Sequence, residues 1–207
     1  MTVTLGLALS LALVAAAQEP AAAPEPPRPR GAGIAIGGLA WADRGVERAE
    51  LPKKSVWRRL ETGDDLRTGD TFRTAGDATA RLEFPWMNVT LGPGTMFTIP
   101  VGTVLSTVLE QGRAEFAGPG RDIVKILVGD GEVRGGGRLV LRRSVGRTTA
   151  TALEGAFRVR ARGRTVEIKA GQGTVVTDGR PPEAPAPLPE APRGLDPGQD
   201  PAYVRSG

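Results

Sequence analysis

The 207-residue chain has no cysteine and no histidine. Disulfides, thiolate nucleophiles and imidazole bases are excluded together, and with them nearly every common transition-metal site. Aromatic residues are also scarce, at 4%, too few for the stacking rows on which single-stranded nucleic acids are held. Catalysis would have to rest on carboxylates such as Glu110 and Glu115, as in glycoside cleavage, and nothing in the sequence sets two of them across a cleft. Asp64, Asp65 and Asp70 follow no calcium-loop pattern and read as turn residues. The expectation is a non-enzymatic protein with no catalytic residue, no cofactor, no metal and no nucleic-acid partner.

Long hydrophobic runs are missing as well. The apolar stretch from Leu5 through Ala17 falls short of the roughly 20 residues needed to span a bilayer. It ends in Ala15-Ala16-Ala17, an A-x-A-like site, so residues 1–17 read as a cleavable secretory signal peptide with Gln18 as the first mature residue. The expected location is periplasmic or secreted. An uncleaved membrane anchor is the alternative.

Glycine and proline are abundant instead, at 29 and 18 residues. Glycine is about twice its average usage, which favours tight turns over long helices. Thirteen of the prolines lie in residues 18–33 and 178–207. Both segments lack the apolar side chains that would offset the entropy of ordering, so 18–33 reads as a Pro-rich disordered linker and 178–207 as a Pro-rich tail. Leu188, Leu195 and Tyr203 are the tail residues able to dock, and a solvated tail is the expected state. The intervening 34–177 carries 22 basic against 16 acidic residues, a modestly positive balance.

Within 34–177 the hydrophobic pattern has period two over short runs, with glycine turns about every ten residues, which predicts an all-β domain. Ala80, Leu82 and Phe84 alternate with Arg81 and Glu83. Val124, Ile126 and Val128 share a strand face. Phe157, Val159 and Ala161 pair with Val166, Ile168 and Ala170 across a reversal at Arg162-Gly163. Reversals are also expected at Gly92-Pro93-Gly94, Gly118-Pro119-Gly120, Gly129-Asp130-Gly131 and Gly135-Gly136-Gly137. One short helix, Ser55 to Glu61, could place Val56, Trp57 and Leu60 on a stripe.

Five segments stand in a recognisable order: Leu66-Arg67-Thr68-Gly69-Asp70-Thr71-Phe72-Arg73-Thr74, Ala80-Arg81-Leu82-Glu83-Phe84, Val89-Thr90-Leu91-Gly92-Pro93-Gly94-Thr95, Leu109 to Phe116, and Ile168-Lys169-Ala170-Gly171-Gln172-Gly173. This series resembles the FecR domain family across nearly all of 34–177. The resemblance implies a β-solenoid or β-helix-like domain outside the cytoplasm, acting through protein contacts; a jelly-roll-like sandwich is the alternative form. Name-giving members of that family are inner-membrane regulators that link a cytoplasmic anti-sigma segment to a periplasmic domain contacting an outer-membrane transporter. Here the signal-like stretch stands first, so the expectation is an exported module without that cytoplasmic part.

Gly69 and Asp70 carry a structural role in this reading. Gly69 takes the positive φ of a tight turn, and the Asp70 carboxylate accepts neighbouring amide hydrogens. The candidate interaction surface is a row of arginines, Arg158, Arg160, Arg162 and Arg164, with Arg142, Arg143 and Arg147 as neighbours. Such a row could meet an acidic envelope protein or an anionic envelope polymer; a solvated strand face is the plainer reading. Among Trp41, Trp57 and Trp86, Trp86 is the best placed for exposure and for stacking on a sugar ring.

Overall fold

The computed structural model describes residues 33–50, 56–102, 106–119 and 125–188. The expected signal peptide, the linker up to residue 32, Ser55, Gly120, Val124, and the tail beyond Leu188 with Leu195 and Tyr203 lie outside the described residues. Within them the chain is all β, with fifteen strands and no helix.

Short strands come first: β1 (Ala35–Ala42), β2 (Val46–Ala49), β3 (Trp57–Arg59), β4 (Asp65–Arg67), β5 (Thr71–Thr74), β6 (Ala80–Phe84), β7 (Met87–Leu91) and β8 (Met96–Thr98). Long ones follow, with β9 (Ser106–Gly118), β11 (Gly131–Ser144) and β12 (Arg147–Ala161) around the short β10 (Lys125–Val128). The series closes with β13 (Arg164–Lys169), β14 (Gln172–Thr177) and β15 (Ala186–Pro187). Period-two alternation explains the strands directly. In β6, Ala80, Leu82 and Phe84 are buried at 0%, 0% and 6% exposure while Arg81 and Glu83 point outward.

The long strands serve two sets of partners. The first part of β9, Ser106 to Leu109, runs parallel to β10, and residues 108–111 pair with β8; its second part, Gly112 to Gly118, lies between β7 and β11. Likewise β12 pairs with β14 over Arg147–Thr151 and with β13 over Ala156–Ala161. All pairings between described strands are antiparallel except β9–β10. The continuous sheet thereby divides into two wings that share β9, β11 and β12. One wing runs β3-β2-β5-β8 and the other β4-β1-β6-β7.

The wings close on one core. The Phe97 ring of β8 lies 6.3 Å from Phe72 in its own wing and 6.3 Å from Phe116 of the shared strand β9, beside β7 of the other wing. Leu66, Leu82, Leu91, Leu109, Leu139, Leu141 and Ile168 fill the same cluster with no measurable exposure. Each such side chain contributes roughly 1.5–3 kcal/mol relative to exposure.

Four local expectations change. Trp57 to Arg59 is strand β3, not helix, and pairs with β2 while the Arg73 guanidinium sits 4.1 Å from the centre of the Trp57 ring. So short a helix could not offset its nucleation cost, whereas a strand gains partners at once. Gly135-Gly136-Gly137 is not a reversal but the middle of β11, opposite Phe157, Ala156 and Gly155 of β12. Here the hairpin bends from one wing to the other, and backbone approaches backbone too closely for side chains. Ala170 is exposed in the turn after β13, outside the Phe157, Val159, Ala161, Val166 and Ile168 face. Finally, ordered contacts continue past Thr177: β15 pairs with β14, Glu183 N–H donates to Val175 O at 2.9 Å, and Leu188 N–H to Gly171 O at 3.0 Å. Prolines at an edge lose nothing by lacking a donor, so a Pro-rich segment can lie there.

The bend sets a testable hierarchy among glycines. An added Cβ on Gly155, at φ +74°, would stand 2.0 Å from Gly136 O, whereas one on Gly163, at φ +77°, meets nothing within 4 Å. Both substitutions carry a left-handed backbone cost of about 1–2 kcal/mol. Only Gly155→Ala must also push two backbones apart. Urea unfolding should show Gly163→Ala losing about 1 kcal/mol and Gly155→Ala clearly more; equal losses would contradict the close approach.

Candidate functional site

The Gly69-Asp70 turn joins β4 to β5 and stitches them to the end of β8. Gly69 has φ +94°. Its N–H donates to Ile99 O at 2.7 Å, and Ile99 N–H returns to Asp70 O at 2.9 Å. The Asp70 carboxylate accepts the Arg67 N–H at 2.8 Å, with the Arg48 guanidinium 3.8 Å away. Burial pushes its carboxyl up from 3.8 to about 6, opposed by the Arg67 amide and the Arg48 charge. Asp64 and Asp65 are engaged elsewhere: Asp64 accepts the Glu61 N–H at 3.0 Å, and Asp65 meets Arg67 Nη2 at 3.2 Å.

Arg158 and Arg160 project from the outer face of β12. Directly opposed residues share a face, so Arg158 stands between Arg134 and Glu167, and Arg160 between Glu132 and Thr165. Arg158 and Arg160, with Glu132, Arg134 and Thr165, line an open cleft of about 360 Å³. Its charges are interleaved. Glu132 meets Lys125 at 3.0 Å and Arg134 at 2.5 Å, and the Lys125 hydrogen bond leads in holding its carboxyl below the usual range. The surface is a mixed lattice with a positive excess rather than an unbroken cationic stripe.

Arg162 and Arg164 stand apart from that face. Arg162 occupies the reversal itself, at φ +47°, and Arg164 is exposed at the hairpin tip opposite Ala161. Arg162 Nη2 donates to Asp130 Oδ2 at 2.7 Å, and Gly179 N–H donates to the same oxygen at 2.9 Å. At the other end of the β11–β12 hairpin, Arg143 grips Asp178 through both nitrogens, at 2.7 and 2.6 Å. Because the hairpin folds over, its two ends arrive at adjacent residues, Asp178 and Gly179. The Asp178 hydrogen bonds raise the Arg143 pKa, and Arg143 in turn holds the Asp178 carboxyl low. Arg143 is thus linked to Arg162 through this clasp, while Arg142 faces outward opposite Arg113 and Thr149.

Trp86 lies in the β6–β7 turn, half-buried, its ring stacked on Phe84 with centroids 5.9 Å apart and planes 25° from parallel. It packs against the core beside a cavity of about 30 Å³ bounded by Phe116, Ile126, Phe157 and the Gly135–Gly137 bend. Its Nε1 is buried without a protein acceptor. Trp41 and Trp57 sit on β1 and β3. Glu110 accepts the Thr98 hydroxyl at 2.5 Å, while Glu115 is buried at 3% exposure under Arg138, which donates to it at 2.7 and 3.1 Å.

Two threonines that the sequence did not single out organise the neighbouring loop. Thr74 Oγ1 donates to Gly92 O at 2.7 Å and accepts Thr95 N–H at 2.8 Å. Thr95 Oγ1 then donates to Arg113 O at 2.9 Å and accepts Arg113 N–H at 3.0 Å. Thr95 is the last residue of the Gly92-Pro93-Gly94-Thr95 stretch, and this relay is the physical content of that stretch.

No family model matches the chain, and no curated protein matches it. Two crystal structures from Parabacteroides distasonis, each provisionally called an anti-sigma factor, are similar in part. The 2.50 Å structure gives a TM-score of 0.47 and the 1.65 Å structure 0.48, both at 12% identity over 56% of this chain. The matched region spans 59% of the length of each.

The Asp70 carboxyl keeps its proton to about pH 6 in the fold and to about pH 4 in the unfolded chain. Between those values the fold binds the extra proton, so this group makes stability fall as pH rises. Asp70→Asn cannot titrate. Relative to that variant, the wild type should be more stable at pH 4 than at pH 7 by up to about 3 kcal/mol, read from urea midpoints; a constant difference would refute the assignment.

Trp86 gives a second prediction. Trp86→Phe keeps the stack on Phe84 and removes the unpartnered donor, so it should leave the unfolding free energy, read from urea midpoints, within about 1 kcal/mol of wild type. Trp86→Ala should cost about 3 kcal/mol or more. Equal losses would mean the indole nitrogen has a partner in solution.

Proposed function

We propose that this chain is a FecR-type, non-enzymatic module of the bacterial envelope, exported by its N-terminal segment and acting by binding another protein. The observation that carries the reading is the placement of the five signature segments. They fall on β4 to β5, β6, β7 with its following turn, β9, and the β13–β14 turn, and their large apolar residues Leu66, Phe72, Leu82, Phe84, Val89, Leu91, Leu109, Phe116 and Ile168 enter one core. What they leave outward is a rigid, charged sheet surface, suited to contact and not to chemistry. A solenoid-like winding is the finer form that the FecR resemblance implies.

A second reading is an anchored periplasmic sensor component in which residues 1–17 stay attached. It follows from the regulatory role of the family's name-giving members and agrees with the designation of the two crystal structures. A glycan or anionic-polymer binder is less favoured, because Glu132 and Glu167 interrupt the arginine face and Phe84 covers one side of Trp86.

Intact-mass measurement on fractionated bacterial cells separates the first two. A soluble species beginning at Gln18 supports the exported module, and a membrane-bound species retaining Met1 supports the sensor. Retention on purified cell-wall material that is abolished by Arg160→Glu would reverse the ranking of the third.

A further inference from the structure

Among the described residues, four strands have a partner on one side only: β3, β4, β13 and β15. Three of them are blunted. β3 and β4 have three residues each, and β15 has two, one of them Pro187. Short strands and proline are the usual means by which a sheet edge avoids pairing with another chain. β13 has neither. Its six residues, Arg164–Lys169, pair with β12 without a register shift and contain no proline.

The turn before β13 fixes which of its backbone groups face outward. Arg162 and Gly163, at φ +47° and +77°, make a two-residue reversal, so Ala161 and Arg164 close the hairpin with exchanged bonds. Exchange recurs at every second pair. Val166 and Ile168 therefore bond to β12, while Thr165, Glu167 and Lys169 turn their N–H and C=O away from it. The Lys169 N–H agrees with this phase, for it donates to the Gln172 side chain at 2.9 Å. Among the described residues, no backbone partner meets the outward groups of Thr165 and Glu167.

The side chains beside this edge carry a charge pattern. Thr165, Glu167 and Lys169 are exposed, and the contact of Lys169 with Glu167 is a loose 4.0 Å. Thr165 adjoins Arg160 of β12, and both line the cleft of about 360 Å³. Glu132, on the other side of Arg160, is engaged by Lys125 at 3.0 Å and Arg134 at 2.5 Å. Arg160 itself forms no ion pair or side-chain hydrogen bond among the described residues.

We propose that β13 receives an extended segment of another protein as an added antiparallel strand, carrying two acidic side chains four residues apart, one opposite Lys169 and one opposite Thr165. Main-chain bonds to Thr165 and Glu167 supply most of the attraction, as in strand addition generally. Charge selects the register. Opposite charges facing each other across a strand pair are favourable and like charges are not. The first acid meets the Lys169 ammonium. The second passes over the short Thr165 side chain into the cleft toward Arg160, about 10 Å or two strand spacings away. Glu167 lies between these positions and disfavours an acid there, so the interleaved face rejects a polyanion yet accepts a spaced pair. This rests on the reading of the chain as a protein-binding module but not on export, so failure here leaves the fractionation result standing.

The test uses the full chain and a blocked heptapeptide, Thr-Glu-Val-Thr-Val-Glu-Thr, read by amide hydrogen exchange and amide resonance shifts. In the free chain the Thr165 and Glu167 amides should exchange fast and those of Val166 and Ile168 slowly. The peptide, binding in the millimolar range, should protect Thr165 and Glu167. Replacing both of its Glu by Gln should weaken binding roughly three- to tenfold, and a third Glu at the central Thr should weaken it also. N-methylation of that central Thr, whose N–H faces β13, should abolish binding, whereas N-methylation of the following Val leaves it. Arg160→Gln should weaken the acidic peptide roughly threefold and leave the Gln peptide unchanged. Thr165→Pro, which removes an outward N–H, should abolish binding of both. Protection of Thr165 and Glu167 in the free chain would overturn the proposal: if it is independent of concentration, residues of the same chain fill the edge, and if it rises with concentration, a second copy does. Equal binding of the Gln peptide, tighter binding of the three-acid peptide, or indifference to N-methylation of the central Thr would overturn it as well.

Discussion

Three long strands must each belong to both wings of the sheet, and they can do so only where the backbone bends without a side chain in the way. In β9 the bend falls at Gly112, whose φ is +92° and whose neighbour is the Thr95 backbone. In the β11–β12 hairpin it falls where Gly135 to Gly137 oppose Phe157 to Gly155. These bends let one continuous ladder serve both wings, and Phe97 meets Phe116 within the core they share. Without them the same strands would form a flat sheet with an exposed apolar face, which is an aggregation hazard rather than a domain.

Several polar groups that the folding brings inward are satisfied in short local relays. Thr74, Thr95 and Arg113 link three chain segments by hydroxyl and backbone bonds, and Gly69-Asp70 links β4, β5 and β8 in the same way. Asp70 brings a carboxyl inward, at 3% exposure, whose ionised form is opposed by burial. A neutral residue would serve the turn at less electrostatic cost above pH 6. The carboxylate gains from the Arg67 amide and Arg48 only part of what its desolvation removes.

How much of this was legible in the sequence follows from the range of each signal. Alternation is a property of adjacent residues, so β6 and the β12–β13 hairpin with its Arg162-Gly163 reversal could be read directly. The Gly69-Asp70 turn is equally local. Glycine triplets are ambiguous, because the same conformational freedom serves a reversal and a mid-strand bend. Only the partner strand, with Gly155 opposite Gly137, decides between them, and that pairing joins residues far apart in the chain. For the same reason the arginine row read as one stripe from its spacing alone. Pairing across β11 and β13 inserted Glu132 and Glu167 among its members, and folding sent Arg162 to Asp130. The docked segment from Asp178 to Leu188 was hidden because its composition is that of a tail, while its order comes from backbone bonds to β14.

Charge placement then gives the two outer surfaces different characters. On the β10–β13 side each arginine has an acidic neighbour on its own or an adjoining strand, an arrangement that keeps an exposed sheet face soluble and leaves little net attraction for any single ligand. On the β9–β11 side Arg113 and Arg142 oppose each other, and the Glu115 carboxylate, held by Arg138, also acts on Arg113 with a charge that offsets the repulsion from Arg142.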